Sequence, residues 1–259
     1  MKVYGAMLAS ALAALLCCAS PPGEAGQARE ITVSAAASLT NVFRETARAF
    51  EAREKGVKVN GNFAASGDLL RQIEGGAPVD VFASAAPREM DELEARGLLM
   101  AGTRRNFAEN GLVLVRPRAF PGKIASFADL KKAEVERIAV GNPATVPAGM
   151  YAEQVLRYFK LWDDIRGKLI LGESVRQVLD YVARGEVDAG FVFATDAALR
   201  AGEVAVVARA PEGTHSPIIY PVAVLKGTAH GDLAKSFVRF LLSPEGQRRL
   251  RAYGFASPR

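Results

Sequence analysis

The sequence predicts an α/β protein of two lobes, each built on a mostly parallel sheet with helices on its faces. Three observations carry this. Short β-type runs alternate with segments of helical periodicity from residue 29 onward, the order of a parallel sheet. The alternation breaks once, near residue 110, and a second unit of the same kind follows. A long β-type run near residue 221 then brings the chain back before two closing helices. No disordered linker, internal repeat or low-complexity segment interrupts the pattern.

In the first unit, Ile31-Thr32-Val33 reads as a strand, and Leu39, Val42, Phe43, Thr46, Ala47 and Phe50 recur at helical spacing. Val57-Lys58-Val59 alternates as a second strand, followed by a helix marked by Leu69, Leu70 and Ile73 and ended by Gly75-Gly76. Residues 79–82 form a third strand, and Pro87 opens a helix carrying Met90, Leu93 and Leu98. Residues 112–115 form a strand closed by Pro117. The second unit runs through a strand at 137–140, a helix at 148–159, a strand at 169–171, a helix at 175–182 and a strand at 189–193. A long strand at 218–224 precedes helices at about 233–242 and up to about Tyr253. This gives one lobe of residues 29–110 with 222–259 and a second of residues 111–221. Two connecting strands form the hinge, and a ligand belongs in the cleft between lobes.

Composition narrows the function. The chain has 259 residues, 49% hydrophobic and 24% charged, as ordinary globular proteins have. Its strongly apolar stretch lies at the N-terminus, where Lys2 precedes the run from Ala6 to Ala19, the layout of a secretory signal peptide. Cleavage after Ala28 leaves a mature chain starting at Arg29, destined for the periplasm. Both cysteines, Cys17 and Cys18, fall in the removed segment, so disulfides and thiolate chemistry are not expected. A lipid anchor on one of them is the rival reading; Ala14-Leu15-Leu16 before Cys17 lack the small residues such an anchor needs. The formal charge of +5 is scattered, without a long basic run or interleaved aromatics, which disfavours nucleic acid. No long apolar heptad pairs copies of the chain, so a monomer is expected.

Four strand-to-helix junctions carry the chemistry. Ser38 follows Ala35-Ala36-Ala37, and Ser66 follows Phe63-Ala64-Ala65. Ala148 lies between Val146-Pro147 and Gly149, and Val175 follows Ser174. Each junction offers backbone N–H groups without intrahelical acceptors at the positive end of a helix, and its small neighbours let an anion approach. Ser38 and Ser66 also suit ordinary helix N-caps. The weight rests on two junctions in each lobe, all at strand carboxyl ends facing one crevice. An enzyme is poorly supported. His215 and His230 lie in loop text without partner spacing, no Gly-x-Ser-x-Gly elbow occurs, and metal-ligand clusters and Walker-type glycine loops are absent.

These runs resemble the periplasmic molybdate-binding proteins of ABC transporters. The resemblance is carried by Ala35-Ala36-Ala37-Ser38-Leu39-Thr40, Phe63-Ala64-Ala65-Ser66 and Arg71-Gln72-Ile73-Glu74-Gly75-Gly76-Ala77-Pro78-Val79-Asp80. It continues in Ala139-Val140-Gly141-Asn142-Pro143, Val146-Pro147-Ala148-Gly149-Met150-Tyr151-Ala152, Tyr220-Pro221-Val222-Ala223 and Tyr253-Gly254-Phe255, and so spans residues 30–256. It implies a type II periplasmic-binding fold, closing on a dehydrated oxoanion with neutral donors, and a protein that is not an enzyme and needs no cofactor. The ligand it implies is molybdate or tungstate, bound as the oxoanion without direct protein–metal ligands, and the partner is the membrane permease of an importer. Carried across, Ser38 and Ser66 donate N–H and hydroxyl, and Ala148 and Val175 donate N–H. The family usually has a tyrosine at the next position, where this chain has Phe193. One donor is thus absent unless Thr195 or a water supplies it, at a cost of roughly 1.5–3 kcal/mol. Sulfate, phosphate or a small organic anion is the alternative ligand. A carboxylate would call for an arginine clamp, and Arg176 beside Val175 is the arginine at these junctions.

Overall fold

The first lobe begins with β1 (Arg29–Ala36), whose alternate residues Ile31, Val33 and Ala35 are fully buried. The computed structural model describes residues 29–258; the expected signal segment and both cysteines lie outside the described residues. α1 (Thr40–Arg53), β2 (Val57–Ala64), α2 (Ser66–Glu74), β3 (Val81–Ala83), α3 (Pro87–Ala95) and β4 (Arg105–Glu109) follow. The chain crosses at Asn110-Gly111 into β5 (Leu112–Pro117), β6 (Ile138–Gly141), α4 (Pro147–Tyr158), α5 (Trp162–Ile165), β7 (Leu169–Gly172) and α6 (Val175–Ala183). β8 (Ala189–Phe193), α7 (Ala194–Leu199) and β9 (Val204–Arg209) complete this unit. β10 (Ile219–Val224), α8 (Gly231–Leu242) and α9 (Pro244–Ala252) return to the first.

Two five-stranded sheets result, ordered β2-β1-β3-β10-β4 and β7-β6-β8-β5-β9. Each has the same plan. Three strands run parallel, a crossing strand (β10 or β5) pairs antiparallel to the third, and an edge strand completes the sheet. The sheets are therefore mixed rather than nearly all parallel. Two strands went unread in the sequence, β4 and β9, and both are edges. The third strand begins at Val81, just after Asp80, whose carboxylate accepts the Thr32 N–H at 2.6 Å and the Thr228 hydroxyl.

Aromatic packing fixes each sheet to its helices and joins the two lobes. Phe43 of α1 meets Phe107 of β4 and Phe237 of α8 at centroid distances of 5.8 and 6.3 Å. Phe127 stacks on Phe191 of β8 at 5.9 Å. Between these clusters Tyr151, Phe193 and Tyr220 touch edge to face at 6.4 and 5.8 Å, a rigid floor under the crossing strands. The start of α4 presses on β6 so closely that a Cβ on Gly149 would lie 1.8 Å from the Gly141 carbonyl oxygen. Only glycine fits there, and that contact sets the position of Ala148.

Candidate functional site

Register explains why the junctions come in pairs. Ala36 of β1 pairs with Ala64 of β2, and Gly141 of β6 with Gly172 of β7, so neighbouring strands end level. Each lobe therefore presents two helix starts side by side at its carboxyl edge, as doubly wound sheets do at their ligand crevices. The two edges face one another. Ser38, Ser66, Ala148, Val175 and Phe193, the five residues singled out from sequence, all line one space, and all are buried. Ala36, Ala37, Ala65, Ala85, Val146 and Pro147 complete its wall, so every lining residue is uncharged. The space measures about 10 Å³, room for a single water-sized sphere, because the lobes are shut on it. Across the cleft the Gly67 N–H donates to the Thr145 carbonyl at 2.9 Å.

Neither serine is an N-cap. Ser66 is the first residue of α2, capped by Ala65, and Ser38 lies inside a single 3₁₀ turn; neither turn has a side-chain cap. Capping is done instead by Ser174, whose hydroxyl accepts the Gln177 N–H at 3.2 Å and leaves Val175 first in α6. Helix starts lack acceptors for their first N–H groups. Among the described residues no protein acceptor stands opposite those of Ser66, Ala148 and Val175.

The direction of the serine hydrogen bonds follows from their partners. Asn110, at the crossing, accepts the Gly111 N–H on Oδ1, which fixes its amide. Nδ2 then donates to Thr195 Oγ1 at 2.9 Å and to Tyr220 Oη at 3.2 Å. Ser38 Oγ lies 3.2 Å from the Tyr220 hydroxyl; because Asn110 Nδ2 can only donate, Ser38 Oγ is the acceptor left for the buried Tyr220 proton. Burial pushes the Tyr220 phenol well above its usual range, so it keeps that proton. Ser66 Oγ accepts the Ala85 N–H at 3.1 Å. Each serine oxygen is thus held as an acceptor by the protein, and its own hydrogen is left for the cleft. Nothing in the sequence marked Asn110, Ala85 or the Tyr220 hydroxyl for this role, since each acts through the fold.

Phe193 ends β8 and caps α7 with its backbone, its ring between Tyr151 and Tyr220. Thr195 holds Asn110 and does not line the space. Arg176 is not a ligand clamp here: its guanidinium turns from the space to Asp196, Asn41 and the Ser38 carbonyl. His215 and His230 lie outside the site. No cluster of His, Cys, Asp or Glu fit for a metal occurs among the described residues.

Asp196, in the first turn of α7, is fully buried; Oδ1 takes Arg176 Nε at 2.6 Å, while Oδ2 has no partner among the described residues. Burial pushes its carboxyl from 3.8 up to about 6, against the opposing pull of Arg176. Between those values the folded chain holds a proton that the unfolded chain has released. This contribution to stability is therefore present at about pH 4 and lost as the pH rises through about 6, amounting to roughly 3 kcal/mol. Denaturant titrations of the wild type and Asp196→Asn should show the wild type gaining that much, relative to the variant, between pH 7 and pH 4. A constant difference would contradict the assignment.

Two α/β units closing neutral helix starts on a small space define a solute-binding protein. The chain belongs to the bacterial extracellular solute-binding protein family, which it matches over residues 31–256, and such proteins are not enzymes. It is similar to the molybdate-binding protein ModA of Escherichia coli, with 40% identity over 231 residues, 87% of this chain and 88% of that one. It is 37% identical over 260 residues to a putative ABC transporter substrate-binding lipoprotein of Bacillus subtilis, covering 99% of each chain. Among solved structures, the periplasmic molybdate-binding protein of Azotobacter vinelandii superposes with a TM-score of 0.78 at 26% identity, over 88% of this chain and all of that one.

Proposed function

We propose that this protein captures molybdate, and tungstate with it, as a bare tetrahedral oxoanion and delivers it to the membrane permease of an ABC importer. The observation that carries the reading is the donor-rich cleft: two serine hydroxyls whose hydrogens are left for it, three helix-start N–H groups without a protein acceptor and an uncharged wall. Such a site offers more donors than acceptors. A fully ionised oxoanion accepts at every oxygen, whereas hydrogen phosphate brings an O–H that must compete for the one lone pair left on a serine oxygen and so matches a donor-rich site less well. Small organic acids are disfavoured by Arg176, which faces away from the space. Tungstate has the shape and charge of molybdate. The moving parts are the lobes of residues 29–110 with 222–259 and of residues 111–221, working as a monomer. Calorimetric titration at pH 8 should give tight binding of molybdate and tungstate, weaker binding of sulfate and far weaker binding of phosphate. Phosphate binding as tightly as molybdate, or no binding of any of the four, overturns the reading.

The aromatic at position 193 gives a sharper check. Phe193 fills the wall without donating, so Phe193→Tyr should tighten molybdate binding by up to roughly 10- to 100-fold, the worth of one hydrogen bond to a charged group. Weaker binding of every anion in that variant means the wall is built around phenylalanine.

The periplasmic destination rests on residues 1–28. The exported protein should begin near Arg29 and carry no thiol; a lipid on Cys17 or Cys18 in its mass spectrum would place it on a membrane instead.

A further inference from the structure

Two arginines, one from each lobe, reach across the cleft in mirror fashion. Arg88, in the first turn of α3, is held on its own lobe by the buried Glu89, with Nε and Nη2 at 2.9 and 2.7 Å from Oε1. Its Nη1 and Nη2 donate across the cleft to the carbonyls of Pro143 and Ala144, each at 3.2 Å. Those residues belong to the loop that delivers Ala148. Arg176, in the first turn of α6, is held on its own lobe by the buried Asp196. It donates across to Asn41 Oδ1 at 2.9 Å and to the Ser38 carbonyl at 3.1 Å. Each arginine therefore grips the segment of the opposite lobe that carries a proposed ligand residue.

Each anchor also ties back to the site. Glu89 Oε2 accepts from the Ser84 hydroxyl, and Ser84 Oγ accepts the Ala86 N–H, fixing the turn whose Ala85 N–H holds Ser66 Oγ. The carboxylates neutralise the guanidiniums, so the grip adds no net charge beside the anion. They also hold the forks in place when the lobes part, which lowers the ordering cost of closure.

We propose that Arg88 and Arg176 are paired closure latches that set how long the bound anion stays. They are positioning residues: neither lines the space, and both act by holding the lobes together. This rests on the oxoanion-binding reading above. The test replaces each by lysine, singly and together, because lysine keeps a cation for Glu89 or Asp196 and loses the fork that spans the cleft. Release of labelled molybdate into excess unlabelled anion should accelerate about tenfold in Arg88→Lys and in Arg176→Lys, and about 100-fold in the double variant, for charge-assisted bonds at separate sites. Association rates should stay within about twofold. Unchanged release, or a change confined to association, overturns the latches. If the wild type retains no molybdate, the functional reading fails by itself. The latches are then judged by spin-label distances between lobes without ligand, where the double variant should shift to longer separations and an unchanged distribution overturns them.

Discussion

Gly67→Ala is expected to weaken molybdate binding by roughly 10- to 100-fold without destabilising either lobe. Gly67 is the second residue of α2, and its N–H meets Thr145 of the opposite lobe. A Cβ there would sit 2.8 Å from both the Thr145 Cα and its carbonyl oxygen. That neighbour is backbone and cannot rotate away, so the lobes must stay apart by a few tenths of an ångström. Overpacking of this kind costs about 1–3 kcal/mol, charged to the closed form alone and read as lost affinity. Alanine is the better helix former by up to about 1 kcal/mol, so thermal melts of the ligand-free variant should fall no lower than wild type. Unchanged affinity in calorimetry would mean that binding does not need the lobes to meet at this point.

Ser38→Ala and Ser66→Ala should each reduce affinity by roughly 10- to 100-fold, the worth of one hydrogen bond to a charged ligand. Their effect on stability is specific too. Neither serine caps a helix, so the expected loss is not that of a cap. Ser38→Ala strands the buried Tyr220 hydroxyl, and Ser66→Ala strands the Ala85 N–H. An unmet buried donor costs about 1–3 kcal/mol. Tyr220→Phe alongside Ser38→Ala should recover part of that stability while leaving affinity low. Both serine variants binding as wild type would remove these residues from the site.

β3, β6 and β8 were legible because burial on both faces writes them as continuous apolar runs. β4 was not, because as an edge strand it buries only Phe107 and Ala108. β9 is likewise an edge, with Val204 buried and Val206 half exposed. The junctions were legible as small residues before helices, and the resemblance marked five positions that the fold brings to one space. What could not be read was anything made by closure. Arg176 meets Ser38 across 138 positions of chain and Arg88 meets Ala144 across 56, and each looks in sequence like an ordinary charge in a first helical turn. The direction of the serine hydrogen bonds was hidden for the same reason, because it depends on Asn110 and Tyr220 meeting beneath the crossing strands.

The central claim is that an oxoanion is held between the helix starts of Ser38 and Ser66 on one side and Ala148 and Val175 on the other. Anomalous diffraction at the molybdenum edge, from crystals grown with molybdate, tests it most directly. The account predicts one strong peak in the space these four residues line, with hydrogen-bond distances to both serine hydroxyls and no charged side chain in contact. A peak elsewhere on the protein, or a closed cleft with no peak in it at saturating molybdate, would contradict it.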